Sequence, residues 1–300
     1  MNPQDFRTSP AYREGKHKLA SIRWMLFFVV AVQTVVTLAV TVVSSFMETP
    51  PPVYLQMLLI ELLAYLLPLS LYAKENRLLT VREAREQFGL KGFRKSLIPW
   101  VILAGCGCQF VMVLLNLPLN LLLAESDGYI PTTLWELCLA IPVLALVPAV
   151  FEEFLLRGIV HGIMANYNTR AALIFTTVMF ALLHGNPAGI PGYLFLGMIL
   201  VLLLRRTGSL YACMLFHLSC NITALLVSYF SSSLMTFPIL TIQLFIFGTL
   251  GAIAGWTVIT SMTKRPHPRL FLDTSEFLGQ SFINLPILLC LFSILLTLIF

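Results

Sequence analysis

Nine apolar stretches, most of them close to twenty residues long, dominate this chain. They lie at about 22–45, 53–73, 97–122, 134–156, 171–185, 190–204, 209–230, 237–261 and 280–300. Roughly 20 apolar residues is what a helix needs to cross the hydrocarbon layer of a bilayer. In lipid every backbone N–H and C=O must be satisfied within the protein, so such stretches form helices. The expected fold is all-α, a polytopic bundle of about 8–9 transmembrane spans. Composition agrees: 58% of the 300 residues are apolar and 11% are charged, against about 25% charged in a soluble domain. The first stretch follows some twenty polar residues and reads as a permanent span rather than a cleaved leader.

The basic residues set an orientation. Arg7, Arg13, Lys16, Lys18 and Arg23 precede the first stretch, and the loop after the second carries Lys74, Arg77, Arg82, Arg85, Lys91, Arg94 and Lys95. Arg157 and Arg170, Arg205 and Arg206, and Lys264, Arg265 and Arg269 mark further basic connections. The intervening loops lack Lys and Arg: the one with Glu48 and three prolines, the one with Glu125 and Asp127, and Ser228–Ser233. Basic and non-basic connections alternate, which by the positive-inside rule places the N-terminus in the cytoplasm. The loop at about 74–96 has apolar residues among its charges and is expected to form an amphipathic helix on that face. The net charge of +5 is spread over short clusters with no long basic run, so nucleic acid is not an expected partner. Cys106, Cys108, Cys138, Cys213, Cys220 and Cys290 all lie in apolar stretches without a CxxC pair and read as packing residues.

Ionisable groups inside apolar runs carry the functional information, because each costs roughly 2.5–3.5 kcal/mol on insertion scales. Glu152 and Glu153 follow the apolar run 137–150, and Arg157 stands four residues after Glu153, on the same helix face. Glu152 points about 100° away from that pair. His184 ends the run before Gly185-Asn186-Pro187-Ala188-Gly189, which reads as a turn. His217 and Asn221 share one stripe of the run 210–227. Glu61 is a lone carboxylate in mid-span. Taken singly, each group has a structural explanation: a boundary ion pair, an interfacial imidazole, glue between helices. Taken together they converge. The fourth helix has no breaker before Asn166, so the turn sits near residue 168, with Glu153 and His184 at nearly equal distances on either side, on the order of 20 Å deep. His217 and Asn221 enter from the same side to a depth on the order of 13–20 Å.

Carboxylate plus imidazole activates water, and His and Asn donors suit an oxyanion that forms at a scissile carbonyl. Glu152, His184 and His217 also match the donor types of a catalytic zinc site, and the sequence leaves a divalent metal open beside a direct general base. No HExxH helix is present. Asp5, Asp127 and Asp273 all lie outside the apolar stretches, which excludes a paired-aspartate site. Ser209 stands at a helix start and reads as an N-cap rather than a nucleophile. No internal repeat is visible, which argues against an inverted-repeat transporter.

Glu152-Glu153-x-x-x-Arg157, Phe180-x-x-x-His184 and His217-x-x-x-Asn221 resemble the three motifs of the CPBP intramembrane proteases, the family of type II CAAX prenyl endopeptidases. The stretch from Phe195-Leu196-Gly197 through Arg206-Thr207-Gly208-Ser209-Leu210 resembles that family's approach to its third motif. The similarity covers about 134–225. It divides the chain into N-terminal spans with a basic loop (1–130), a core (131–230) and C-terminal spans (231–300). The resemblance implies a membrane-embedded site open towards the cytoplasm, with Glu152 as water-activating base aided by His184. It implies His217 and Asn221 at the oxyanion, with Glu153 and Arg157 shaping the site. The implied substrate is a membrane-associated or lipidated peptide or protein among membrane lipids, and the implied location is a bacterial cell membrane. The alternative expectation is a non-catalytic bacteriocin-immunity or partner-binding membrane protein that keeps the site as a pocket.

Overall fold

The computed structural model describes residues 10–75, 85, 88–123, 129–264 and 273–299. Every element among them is helical. In order these are α1 (Pro10–Ser45), α2 (Val53–Glu75), α3 (Ile98–Leu123), α4 (Leu134–Met164), α5 (Thr169–Leu183), α6 (Ile190–Thr207), α7 (Leu210–Tyr229), the short α8 (Ser231–Thr236), α9 (Pro238–Met262), α10 (Thr274–Phe282) and α11 (Leu285–Ile299). The chain is an integral membrane protein. Seven of these helices are long and apolar enough to cross a bilayer: α1 to α4, α6, α7 and α9.

Two of the nine expected spans are therefore too short to cross as single helices. Helix α5 has 15 residues, about 22 Å at 1.5 Å per residue. It is largely buried, so it fills the interior rather than meeting lipid along a full span. The expected span 280–300 is broken in two. Asn284 Oδ1 accepts from the amide of Ile287 and Pro286 follows, which starts a new helix at Leu285. The amphipathic helix expected over 74–96 falls mostly on residues outside those described.

Local chemistry sets the ends of the core helices. Thr133 caps α4 through a capping box: its hydroxyl accepts from Glu136 N–H at 3.1 Å while the Glu136 carboxylate accepts from the amide of Thr133 at 3.3 Å. Asn168 caps α5, its Oδ1 accepting from the amides of Arg170 and Ala171, both at 2.9 Å. Gly208 ends α6 with φ +66°, which an L side chain rarely adopts. Two segments of α4, Ile141–Leu146 and Glu153–His161, are wound as π-helix. Pro142 in the first removes a backbone donor, and the wider turn accommodates its ring.

Small residues bring the central helices together. A Cβ on Gly105 would lie 2.5 Å from the Phe216 carbonyl of α7, and one on Gly107 would lie 2.4 Å from the Gly248 carbonyl and Ala252 nitrogen of α9. Helix α3 is thus clamped between α7 and α9 at backbone contact, the usual packing of spans in lipid. The main apolar core runs along the bundle, from Leu97, Leu156, Phe175 and Leu203 to Met112, Leu183 and Leu196. Arg94 and Arg206 donate to the carbonyls of Met262 and Thr260, at the C-terminus of α9. Four cysteines are buried, Cys106 is half-buried and Cys138 is exposed; all six are free thiols.

Replacing Gly107 by Val should lower stability by about 1–3 kcal/mol through overpacking. The reading is the unfolding temperature in detergent. Gly279→Ala, whose Cβ meets nothing within 4 Å, should leave it unchanged or slightly raised.

Candidate functional site

The three polar motifs meet. Adjacent on α4, Glu152 and Glu153 point to different neighbours. Glu153 is fully buried and Arg157 is 1% exposed; Arg157 Nη1 donates to Glu153 Oε1 at 2.9 Å. The same oxygen faces His217 Nδ1 of α7 at 3.0 Å. Arg157 Nη2 donates to the Gly197 carbonyl of α6 at 3.2 Å, and its guanidinium lies 4.3 Å from the ring centroid of Phe180 on α5. One ion pair thus ties α4, α5, α6 and α7 together.

Phe180 explains why an aromatic residue precedes His184 by one turn. Its ring receives Arg157 on its face and meets His217 edge-on, with centroids 5.6 Å apart. Its carbonyl lies 2.7 Å from His184 Nδ1. Gly197 is as constrained: a Cβ there would lie 3.3 Å from Phe180 and from the Thr177 carbonyl. A larger residue would push α6 away from α5 and remove the acceptor for Arg157.

Glu152 takes no part in that network. Its Oε2 has no hydrogen-bond partner and lies 3.9 Å from His184 Nε2, beyond a direct hydrogen bond. A carbonyl oxygen can only accept, so the Phe180 contact assigns the proton of neutral His184 to Nδ1 and the lone pair to Nε2. His184 is held from its other face by Tyr193, stacked at a centroid distance of 3.9 Å. For His217 the carboxylate of Glu153 likewise assigns the proton to Nδ1.

These groups border a cavity of about 600 Å³. Glu152, His184, His217 and Asn221 line it, whereas Glu153 and Arg157 stand behind the wall. Glu61 of α2 lines it as well, its Oε2 buried without a hydrogen-bond partner. The first three helices supply Gln33, Tyr65, Gln109 and Asn116. Asn116 also accepts from the Gly192 amide at 2.7 Å, capping the start of α6. Tyr65, Tyr193, Gln109 and Asn116 escaped the sequence reading. Tyr and a single amide in an apolar run are ordinary in membrane helices, and only proximity marks them.

No group of three His, Cys, Asp or Glu side chains among the described residues is already placed to hold a metal ion. Both imidazoles engage protein acceptors through Nδ1, His217 with Glu153 and His184 with Phe180, which leaves Nε2 of each for the cavity. One expectation is corrected. Ser209 does stand at the N-cap of α7, but its side chain caps no amide. Its hydroxyl donates instead to the Lys91 carbonyl. The loop before α3 supplies the α7 cap through Gly89, whose carbonyl accepts from Leu210 N–H at 2.8 Å.

Residues 134–223 match the family model described as Type II CAAX prenyl endopeptidase Rce1-like. The matched segment runs from the start of α4 to two residues past Asn221, so it contains every motif residue of the site. The family is one of proteases. No curated protein and no solved structure matches the chain.

Breaking the buried pair should be costly. Arg157→Met strands the Glu153 charge, and a loss of about 3–5 kcal/mol is expected, seen as a large drop in unfolding temperature. Adding Glu153→Gln should recover part of it. An unchanged unfolding temperature in the single variant would show that the pair does not hold the four helices.

Proposed function

We propose that this protein is an intramembrane endopeptidase that hydrolyses a peptide bond with a water activated by Glu152. The observation that carries the reading is the facing of Glu152 Oε2 and His184 Nε2 at 3.9 Å on the wall of the cavity. With the proton of His184 on Nδ1, both atoms are acceptors. Two acceptors that close repel unless a donor stands between them, and a water molecule gives one O–H to each. The water oxygen then directs a lone pair at a carbonyl carbon in the cavity.

The water oxygen forms a bond to the carbonyl carbon while one of its protons passes to Glu152. The carbonyl oxygen takes the electron pair of its π bond. Asn221, one turn beyond His217 on the same wall, supplies an amide donor to that oxygen. The proton held by Glu152 is delivered to the leaving nitrogen, the C–N bond breaks, and an acid and an amine result. His184 holds the water and shares the proton. His217, anchored through Nδ1 to Glu153, keeps Nε2 for the cavity. Glu153 and Arg157 act on geometry: they fix His217 and the turn of α4 that carries Glu152. No step in this scheme passes through a metal ion.

The substrate is a membrane-associated or lipidated peptide or protein, because the reacting groups lie within the spans. The N-terminus is cytoplasmic by the distribution of Lys and Arg.

Glu152→Gln should reduce cleavage of a peptide panel by about 10²–10⁴-fold in kcat, with the unfolding temperature preserved because Oε2 makes no hydrogen bond. Asn221→Ala should cost about 10²–10³-fold, mainly in kcat. A chelator should leave the wild type active; loss of activity that zinc restores would sink the metal-free mechanism. If no panel peptide, lipidated or not, is cleaved by folded protein, the site is a binding pocket and the immunity or partner-binding role takes its place.

A further inference from the structure

The cavity has a definite position along the helices. All described Lys and Arg at helix ends fall at one end of the bundle: Lys16, Lys18 and Arg23 at the start of α1, Lys74 at the end of α2, Lys91, Arg94 and Lys95 before α3. Arg170 starts α5, Arg205 and Arg206 end α6, and Lys264 follows α9. Arg94 and Arg206 meet the same end of α9, which confirms that these basic groups share a face.

The cavity lies towards the other face. On α1 its wall is Gln33 and Thr37, on α2 the first half, from Met57 to Tyr65, and on α3 the second half, from Gln109 to Asn116. On α5 and α6 it meets Leu183, His184 and Tyr193, which flank the Lys- and Arg-free turn at 185–189. On α7 it runs from His217 to Leu225, towards the end remote from Arg206. On α4 it runs from Leu144 to Glu152, around the middle of the helix, and Tyr129, in the connection that leads into α4, carries the cavity to that face. Between the site and the basic face stand Leu156, Phe175, Leu200, Leu203 and Phe216, each at most 1% exposed. A second, smaller cavity of about 180 Å³ shares Gln33, Thr37, Leu183 and His184 with the first and touches Ile294, in the second half of α11.

By the positive-inside bias, the face rich in Lys and Arg is cytoplasmic and the other is not. We infer that the cavity is reached from the non-cytoplasmic side of the membrane, so the occupant is a peptide segment presented at the outer face rather than a cytoplasmic tail. This reverses the cytoplasmic opening that the resemblance implies. The lining adds a chemical preference. It contains Glu61 and Glu152 and no Lys or Arg, so a free C-terminal carboxylate entering it meets like charge with no cation to pair with. A neutral or amine-bearing segment fits.

The route of access can be tested without enzymatic activity, and only the choice of substrate rests on the peptidase reading. Single cysteines would be placed at Thr37 and Ala224, on the cavity wall but outside the proposed machinery, and at Gly92, in the exposed loop on the basic face. Cys106→Ser and Cys138→Ala would be introduced to lower the background. Intact cells and inverted vesicles would be treated with a membrane-impermeant charged maleimide. Thr37→Cys and Ala224→Cys should react on intact cells, and Gly92→Cys only in inverted vesicles. Cavity cysteines that react only in inverted vesicles, or from neither side, would overturn the inference, as would Gly92→Cys reacting on intact cells. In a second arm, impermeant peptides with amidated or free C-termini are added to either preparation. Glu152-dependent cleavage should occur from outside, several-fold faster for the amidated form; equal rates would overturn the charge preference. Absence of all cleavage with outside labelling intact would remove the peptidase reading and leave the access route standing.

Discussion

One buried carboxylate holds this site together. Glu153 Oε1 accepts from Arg157 on its own helix and faces His217 on α7, while Arg157 reaches on to the Gly197 carbonyl and the face of Phe180. In a low-dielectric interior neither charge is tolerable alone, and each is expensive to bury even when paired. The pair is stable only when α4, α5, α6 and α7 are all in place, because each supplies one contact. The geometry of the cavity wall follows from that mutual dependence.

The division of labour between the adjacent carboxylates has a simple origin. Neighbouring positions on a helix point about 100° apart, so one can face the core while the other faces a cavity. Glu153 spends its charge on structure and Glu152 keeps its own unpaired. The π-wound turn from Glu153 to His161 begins at this point. Such turns place side chains where a regular helix would not, and they recur at functional sites. Around them, glycine sets the spacing of the helices: Gly197 lets α6 touch α5, and Gly105 and Gly107 let α3 lie against α7 and α9.

The bundle has an uneven build along the membrane normal. At the basic end arginines are bound to a helix terminus, and the open volume lies towards the other end. A hydrolytic site needs water, and polar groups within a bilayer need either partners or a wet cavity. Here Glu61, Gln33, Gln109 and Asn116 surround the same space as the motif residues, so its polarity belongs to helices well outside the segment that carries the family motifs.

The sequence by itself determined the all-helical membrane architecture, the breaks near residues 168, 185–189 and 208, and the meeting of Glu152, Glu153, Arg157, His184, His217 and Asn221. These follow from one-dimensional quantities: the length of apolar runs, the turn residues between them, and the cost of an ionisable group in lipid. Tertiary structure alone decided that α5 is buried among its neighbours and that the last apolar stretch is broken at Asn284. It also decided that Ser209 serves a loop carbonyl rather than a helix amide, that Tyr193 and Phe180 bracket His184, and that the cavity lies away from the basic face. Each of these depends on how one helix is rotated and shifted against its neighbours. That phase is set by packing between residues far apart in the chain, and the period of any single segment does not contain it.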